Sequence, residues 1–210
     1  MFLGLELTWQ LEGHLFVHQR SFVHSILKSH GFSMSSSKRL ANISMEQPNS
    51  DSEPPTASEL KLLQKYAGEF NWLATRTRLD IAYFTSPLAN TCNLHGKWSF
   101  ELAKKIHRYL LNTADQGLAL SKLPLPVGGT QQLEDEEVWR SDQLVVWSDV
   151  GFGAVGTRSQ TGVLVLWAGA PGLARSSREA TSALSVCEAE VCPAATAWVC
   201  VEGSTCLLGE

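Results

Sequence analysis

Two linker-like segments divide the sequence and limit what it can fold into. Residues 34–57 are rich in serine and proline, and residues 122–143 combine proline and glycine with an acidic run from Glu134 to Glu137. Such composition favours loops and solvated surface over packed secondary structure. We therefore expect three structured stretches, residues 1–33, 58–121 and 144–210, joined by two linkers.

The first stretch begins with short apolar runs that predict a β-hairpin. Its turn falls at Glu12–Gly13, and the helical spacing that follows ends at Gly31. Residues 58–121 are helical in pattern throughout. Their apolar positions predict antiparallel helices over about Ser58–Ala74, from near Asp80, and over about Trp98–Asn112, with Gly117 as the final stop.

The pattern changes after the second linker. "LVVWSDV" and "GVLVLWAG" read as buried strands, and a helix is predicted from near Thr181, with Pro193 awkward inside it. The chain is therefore predicted to be α+β, a helical region followed by a short α/β piece. Asp149 closes the first of these strands, where it is either a turn-forming aspartate or a metal ligand.

Composition restricts the partners and the compartment. The formal net charge is −4, so binding to nucleic acid would have to rest on local basic patches. The five cysteines match no zinc-ligand spacing, no signal peptide is recognisable, and no run is long enough to span a membrane. We expect reduced cysteines, no membrane association, and an intracellular protein, cytoplasmic or nuclear.

Several segments resemble, in the same order, the polyprotein of copia-type LTR retrotransposons. "FLGLEL" and "HQRSFVHSILKSHGFS" are similar to the end of its reverse transcriptase palm and the start of the thumb, which assigns residues 1–33 to that region. "RLDIAY" and "HGKWSFELAKKIHRYLLNTADQGL" resemble two blocks of the helical thumb/connection region, residues 58–121. "WSDVGFGAVGTRSQTGVLVLWAGAPGLARSSREATSALSVCEAEV" resembles the start of the ribonuclease H domain, which would make residues 144–210 a partial, ribonuclease H-like piece.

The resemblance implies specific chemistry. Ribonuclease H uses Mg²⁺ ions held by carboxylates to cleave the RNA strand of an RNA–DNA hybrid. By position, Asp149 and Glu190 correspond to its first aspartate and to the glutamate of its following helix, and they are the predicted catalytic metal ligands. Glu188 is a nearby competitor.

Basic residues in the helical region are the predicted contacts to the nucleic-acid backbone. They are Arg76, Arg78, Lys104, Lys105 and Arg108. The segment "KWSFELAKKIHR" contains five basic residues that do not all share one face: Lys97, Lys104, Lys105, His107 and Arg108. A solvated amphipathic helix is the simpler interpretation.

Departures from the family pattern put activity in doubt. Gly151 replaces a second aspartate, Glu179 a glutamine and Val191 a tyrosine, and the later ribonuclease H aspartates have no counterpart. No adjacent Asp-Asp pair for polymerase metals occurs in the sequence. We therefore expect RNA-directed DNA polymerase/ribonuclease H ancestry without activity in isolation, with the remainder of the polyprotein and RNA–DNA hybrid as partners. The alternative is a non-enzymatic nucleic-acid-binding or scaffold module.

Overall fold

A computed structural model describes residues 4–10, 14–32, 53–120, 144–153, 158–167, 170–180 and 182–208, the last five without side-chain detail. The chain forms two compact units. The first comprises residues 1–6 and 18–117, and the second comprises residues 7–17 and 118–210. The predicted hairpin turn and nearly all of both predicted linkers lie outside the described residues.

Two short strands and one helix open the chain. Strand β1 is Glu6–Trp9 and strand β2 is Leu15–His18, and they are neighbours in a three-stranded sheet. Helix α1, Arg20–Ser29, ends where the sequence predicts: Gly31 has a φ of 74°, and the amide of Phe32 donates to the carbonyl of Leu27 over 2.9 Å. This is a Schellman motif, which requires the left-handed backbone that glycine adopts without strain.

The predicted helical block is present. Helix α2 is Ala57–Ala74 and begins at a capping box between Thr56 and Glu59. A single 3₁₀ turn leads into helix α3, Ala82–Thr91, and helix α4 is Gly96–Asn112. The prediction that Gly117 ends a helix is wrong. Gly117 instead begins strand β3, Gly117–Leu120, which pairs in one sheet with β1 and β2.

The core of the first unit lies between helices α1 to α4. Each helix contributes the apolar positions that recur at three- and four-residue spacing, and their side chains are almost fully buried. Its innermost members are Val23, Leu63, Phe70, Leu73, Ile81, Leu88, Ala103, Ile106 and Leu110.

The second unit contains an antiparallel sheet and a helix. Strands β4 (Leu144–Gly151), β5 (Gln160–Trp167) and β6 (Ala170–Arg178) pair in that order, and helix α5 (Val186–Leu208) packs on β4 and β5. The sequence predicts β4, β5 and the helix but not β6. The prediction that β4 is a buried strand is wrong, since only Val150 of its residues is buried. The α+β class is therefore confirmed, whereas the finer ribonuclease H-like assignment stays a prediction.

Candidate functional site

Asp149 lies on the edge strand β4, where it is exposed to solvent. Its partner across the sheet is Gly162 of β5, and the next pair along is Val150 with Thr161. Because successive side chains of a strand alternate between faces, Asp149 lies on the face opposite to Val150 and Thr161. The order predicted for this region, a strand with Asp149 followed by a helix with Glu190, is present.

Helix α5 covers the other face of that sheet. The hydroxyl of Thr161 donates to the carboxylate of Glu179, and that carboxylate also hydrogen-bonds the thiol of Cys192 on α5. Burial, together with the Glu179 carboxylate, raises the pKa of this thiol. Helix α5 therefore lies on the Thr161 face, away from Asp149.

The two candidate glutamates of α5 have different environments. Glu188 belongs to the N-terminal cap of the helix: its amide donates to the Ser185 hydroxyl over 3.1 Å, and its carboxylate accepts from the amide of Leu184 over 2.7 Å. Glu190 is exposed, next to Ala189, which is buried. Of the two glutamates, only Glu188 makes a described cap contact, and the carboxylate of Glu190 does not.

These placements do not fit a magnesium centre. Mg²⁺ needs near-octahedral oxygen ligands, and two such ions need several convergent carboxylates. The Asp149 side chain lies on the face of the sheet that α5, the helix of Glu190, does not cover. Among the residues that the structure describes, no group of three acidic, histidine or cysteine side chains contains either of them. The described residues therefore provide no assembled site for metal-dependent cleavage.

Arg78 has a different role from the one predicted. Its side chain is 1% exposed, and its guanidinium donates twice to the carboxylate of Asp80, over 3.0 and 2.8 Å. It also donates to the carbonyl and the hydroxyl of Thr113, over 2.8 and 2.7 Å, and lies over the Tyr109 ring. A buried guanidinium with these bonds cannot reach a phosphate, so Arg78 is a structural residue.

This cluster joins two of the segments that carry the family resemblance. Arg78 and Asp80 come from "RLDIAY", and Tyr109 and Thr113 come from "HRYLLNT". Burial alone would raise the pKa of Asp80, but the hydrogen bonds and charge of Arg78, with a hydrogen bond from Tyr109, lower it overall. The cluster ties the turn before α3 to the C-terminal end of α4.

The predicted basic residues of α4 are at the surface. Lys104 and Arg108 are exposed and Lys105 is half-buried, and Lys104 forms an ion pair of 2.8 Å with Glu101. With 100° between successive residues, they lie with Lys97 and Glu101 within an arc of about 100°. We call these five residues, Lys97, Glu101, Lys104, Lys105 and Arg108, the α4 ridge.

The α4 ridge carries four positive charges and one negative charge over about 16 Å of helix. Lys97, Glu101 and Lys104 of the ridge line a cleft of about 560 Å³ together with Glu53 and Glu59, and these carboxylates repel an anion there. Lys105 and Arg108 do not line that cleft and are the part of the ridge more favourable for binding an anion. Arg76, also exposed, lies 4.8 Å over the Trp72 ring.

One polar cluster is formed by residues that are far apart in the sequence. His30 follows α1, Glu69 is on α2, and His107 is on the core face of α4; one ligand atom from each lies within 4.8 Å of the others. The three residues are 39 and 38 positions apart, so no local motif signals them. The one available signal was a histidine among the apolar positions of α4.

Comparison with known proteins gives no match: no protein-family model, no curated protein and no solved structure is similar to the chain. The family assignment therefore depends on the sequence resemblance. Within the described ranges, no helix combines the length and the apolar composition needed to cross a membrane.

Proposed function

We propose that this chain corresponds to the reverse transcriptase–ribonuclease H region of a copia-type retrotransposon polyprotein and binds the backbone of an RNA–DNA hybrid without cleaving it. The observation that carries the binding proposal is the α4 ridge, on which four cationic side chains, three exposed and one half-buried, share one arc of the helix. In polymerase thumbs, a helix of this kind packs along a duplex and places Lys and Arg on phosphates.

The wider chain agrees with a local interface. The formal net charge is −4, so non-specific attraction of the whole molecule to a polyanion is unfavourable, and a positive stripe is needed for contact. Two observations support a thumb/connection origin for the helical unit. The segments that resemble the family occur in the family's order along the sequence, and a cluster of contacts joins Arg78 and Asp80 of one segment to Tyr109 and Thr113 of another.

Catalysis is not part of the proposal. The sequence has no adjacent Asp-Asp pair, and α5, the helix that contains Glu190, packs on the face of the β4–β5–β6 sheet opposite to the Asp149 side chain. Two isolated carboxylates leave the charge and coordination of two Mg²⁺ ions unsatisfied. We thus propose the enzymatic ancestry but not the activity. We further propose that the chain is intracellular and that the remainder of the polyprotein is its partner.

A binding titration tests the proposal. Fluorescence anisotropy of a labelled RNA–DNA hybrid is measured in EDTA at several salt concentrations, for the native chain and for the triple variant Lys104→Gln, Lys105→Gln, Arg108→Gln. A control of equal charge change replaces three residues outside the α4 ridge, Lys28→Gln, Lys61→Gln and Arg175→Gln, all exposed.

We expect binding that weakens steeply with salt, and a slope of log K against log salt that falls by about 2 to 3 in the ridge variant, because each phosphate contact contributes about 0.9. The control variant should keep most of the affinity. Equal loss in both variants would mean that only total charge matters. Absence of binding at low salt would refute the proposal and leave the scaffold alternative.

A further inference from the structure

The His30–Glu69–His107 cluster lies within the first unit, between α1, α2 and α4. Nε2 of His30 and Oε2 of Glu69 are 2.8 Å apart, and their side chains are 5% and 16% exposed. His107 is buried, 1% exposed. A carboxylate and two imidazoles brought together in a largely dry interior are uncommon in a purely structural core.

His107 has one ring nitrogen in a hydrogen bond and one that no described residue contacts in this way. Its Nδ1 lies 2.8 Å from the carbonyl of Ala103, a contact that requires Nδ1 to carry the proton. Its Nε2 then has a free lone pair, and this buried atom has no hydrogen-bond partner among the described residues. A buried polar atom of this kind requires an explanation.

The proton on Nδ1 matches the arrangement of a metal-binding histidine. Such residues donate the second ring N–H to a backbone carbonyl or a carboxylate, which fixes the tautomer and the ring orientation. The His107 ring is further held by Phe32, stacked at 4.6 Å, and by Phe70 and Tyr66, edge-on at 4.7 and 4.9 Å. Its orientation is therefore set by packing on several sides.

We propose that His30, Glu69 and His107 form a binding site for a divalent transition metal ion, with Zn²⁺ as the best-suited ion. Two imidazoles and one carboxylate are a common zinc ligand set that leaves a fourth position for water. Bond lengths of about 2.1 Å in a tetrahedral site place ligand atoms about 3.4 Å apart. The separations in the cluster, from 2.8 Å up to 4.8 Å at most, bracket that distance.

One acidic and one basic side chain set the charge at the cluster. Glu69 is the one carboxylate in the group, and Lys65 lies 3.8 Å from its other oxygen, on the exposed side of α2. That lysine is 56% exposed and can turn into solvent when a metal ion enters. Glu69, the most exposed ligand of the three, marks the entry side.

Co²⁺ is the probe for the test because its visible absorption reports coordination geometry. The native chain is titrated with Co²⁺, and Zn²⁺ is then added to displace it. His107→Phe keeps an aromatic ring in the same packing and removes the nitrogen ligands. Glu69→Gln keeps a hydrogen bond to His30 and removes the charge, and His24→Gln removes an exposed histidine of α1 as the control.

We expect one Co²⁺ per chain with tetrahedral bands, displaced by Zn²⁺, and a loss of more than about 100-fold in affinity for His107→Phe, beyond the range for an outer-shell partner. The control should bind as the native chain does. If His107→Phe does not fold, Glu69→Gln decides. Failure of the native chain to bind, unchanged affinity in Glu69→Gln, or a thiolate-to-cobalt band that assigns the metal to cysteines would overturn the proposal.

Discussion

Replacing Arg78 by methionine tests whether this residue is structural. Methionine retains much of the aliphatic volume but removes the guanidinium, with its two bonds to Asp80 and its two bonds to Thr113. The carboxylate of Asp80 and the carbonyl of Thr113 then lose their charged donor. Because position 78 is fully buried, water cannot easily take the place of the guanidinium.

The size of the effect follows from the burial of the two partners. Removing one member of a buried ion pair costs about 3–5 kcal/mol. Asp80 is 34% exposed and can be partly hydrated after the change, so we expect the lower end, about 3 kcal/mol of unfolding free energy. With a urea m-value of about 2 kcal/mol per molar, the midpoint should fall by about 1.5 M.

The matched control is Arg76→Met, because Arg76 is exposed and its described contact is with the face of Trp72. An exposed cation–π contact contributes about 0.5–1 kcal/mol. Urea unfolding followed by circular dichroism compares the two variants. A cost for Arg78→Met that is below about 1 kcal/mol, or equal to that of Arg76→Met, would refute the structural role.

Three further predictions follow from the same contacts. Gly96→Ala should destabilise the first unit by about 1–3 kcal/mol in urea unfolding, because the added Cβ would lie 2.9 Å from the Cβ of Pro55. Asp149→Asn should leave hybrid cleavage with Mg²⁺ at background, as in the native chain, and should change the free energy of unfolding by no more than about 0.5 kcal/mol. Mg²⁺-dependent cleavage by the native chain that the variant abolishes would contradict the placement of Asp149. The pKa of Asp80 is lowered by Arg78, so its contribution to stability should be full above the ordinary value of 3.8 and decline as the pH falls through the lowered value; a stability gap between the native chain and Asp80→Asn that does not narrow in acid would disprove this.

Element type could be predicted from the sequence wherever one apolar face dominates. Helices α1, α2 and α4 and strand β5 have such faces, and Gly31 ends α1 because of its backbone freedom. Strand β6, "APGLARSSR", lacks an apolar alternation and becomes a strand through its pairing with β5.

Side-chain roles depended on contacts that the sequence does not contain. Arg78 reads as a surface cation, and only tertiary packing brings Thr113 to it, 35 residues later. For Asp149, the strand could be predicted, but the face it occupies depends on strand register and on the side that α5 covers. His107 contacts His30 and Phe32 only because separate parts of the chain pack together.

Lysine footprinting measures contact between the α4 ridge and nucleic acid. The chain is acetylated briefly with and without a saturating RNA–DNA hybrid in EDTA, and modification at each lysine is measured by mass spectrometry. We expect strong protection of Lys104 and Lys105, with Lys28 and Lys61 unchanged. Uniform protection of all lysines, or protection that omits Lys104 and Lys105, would contradict it.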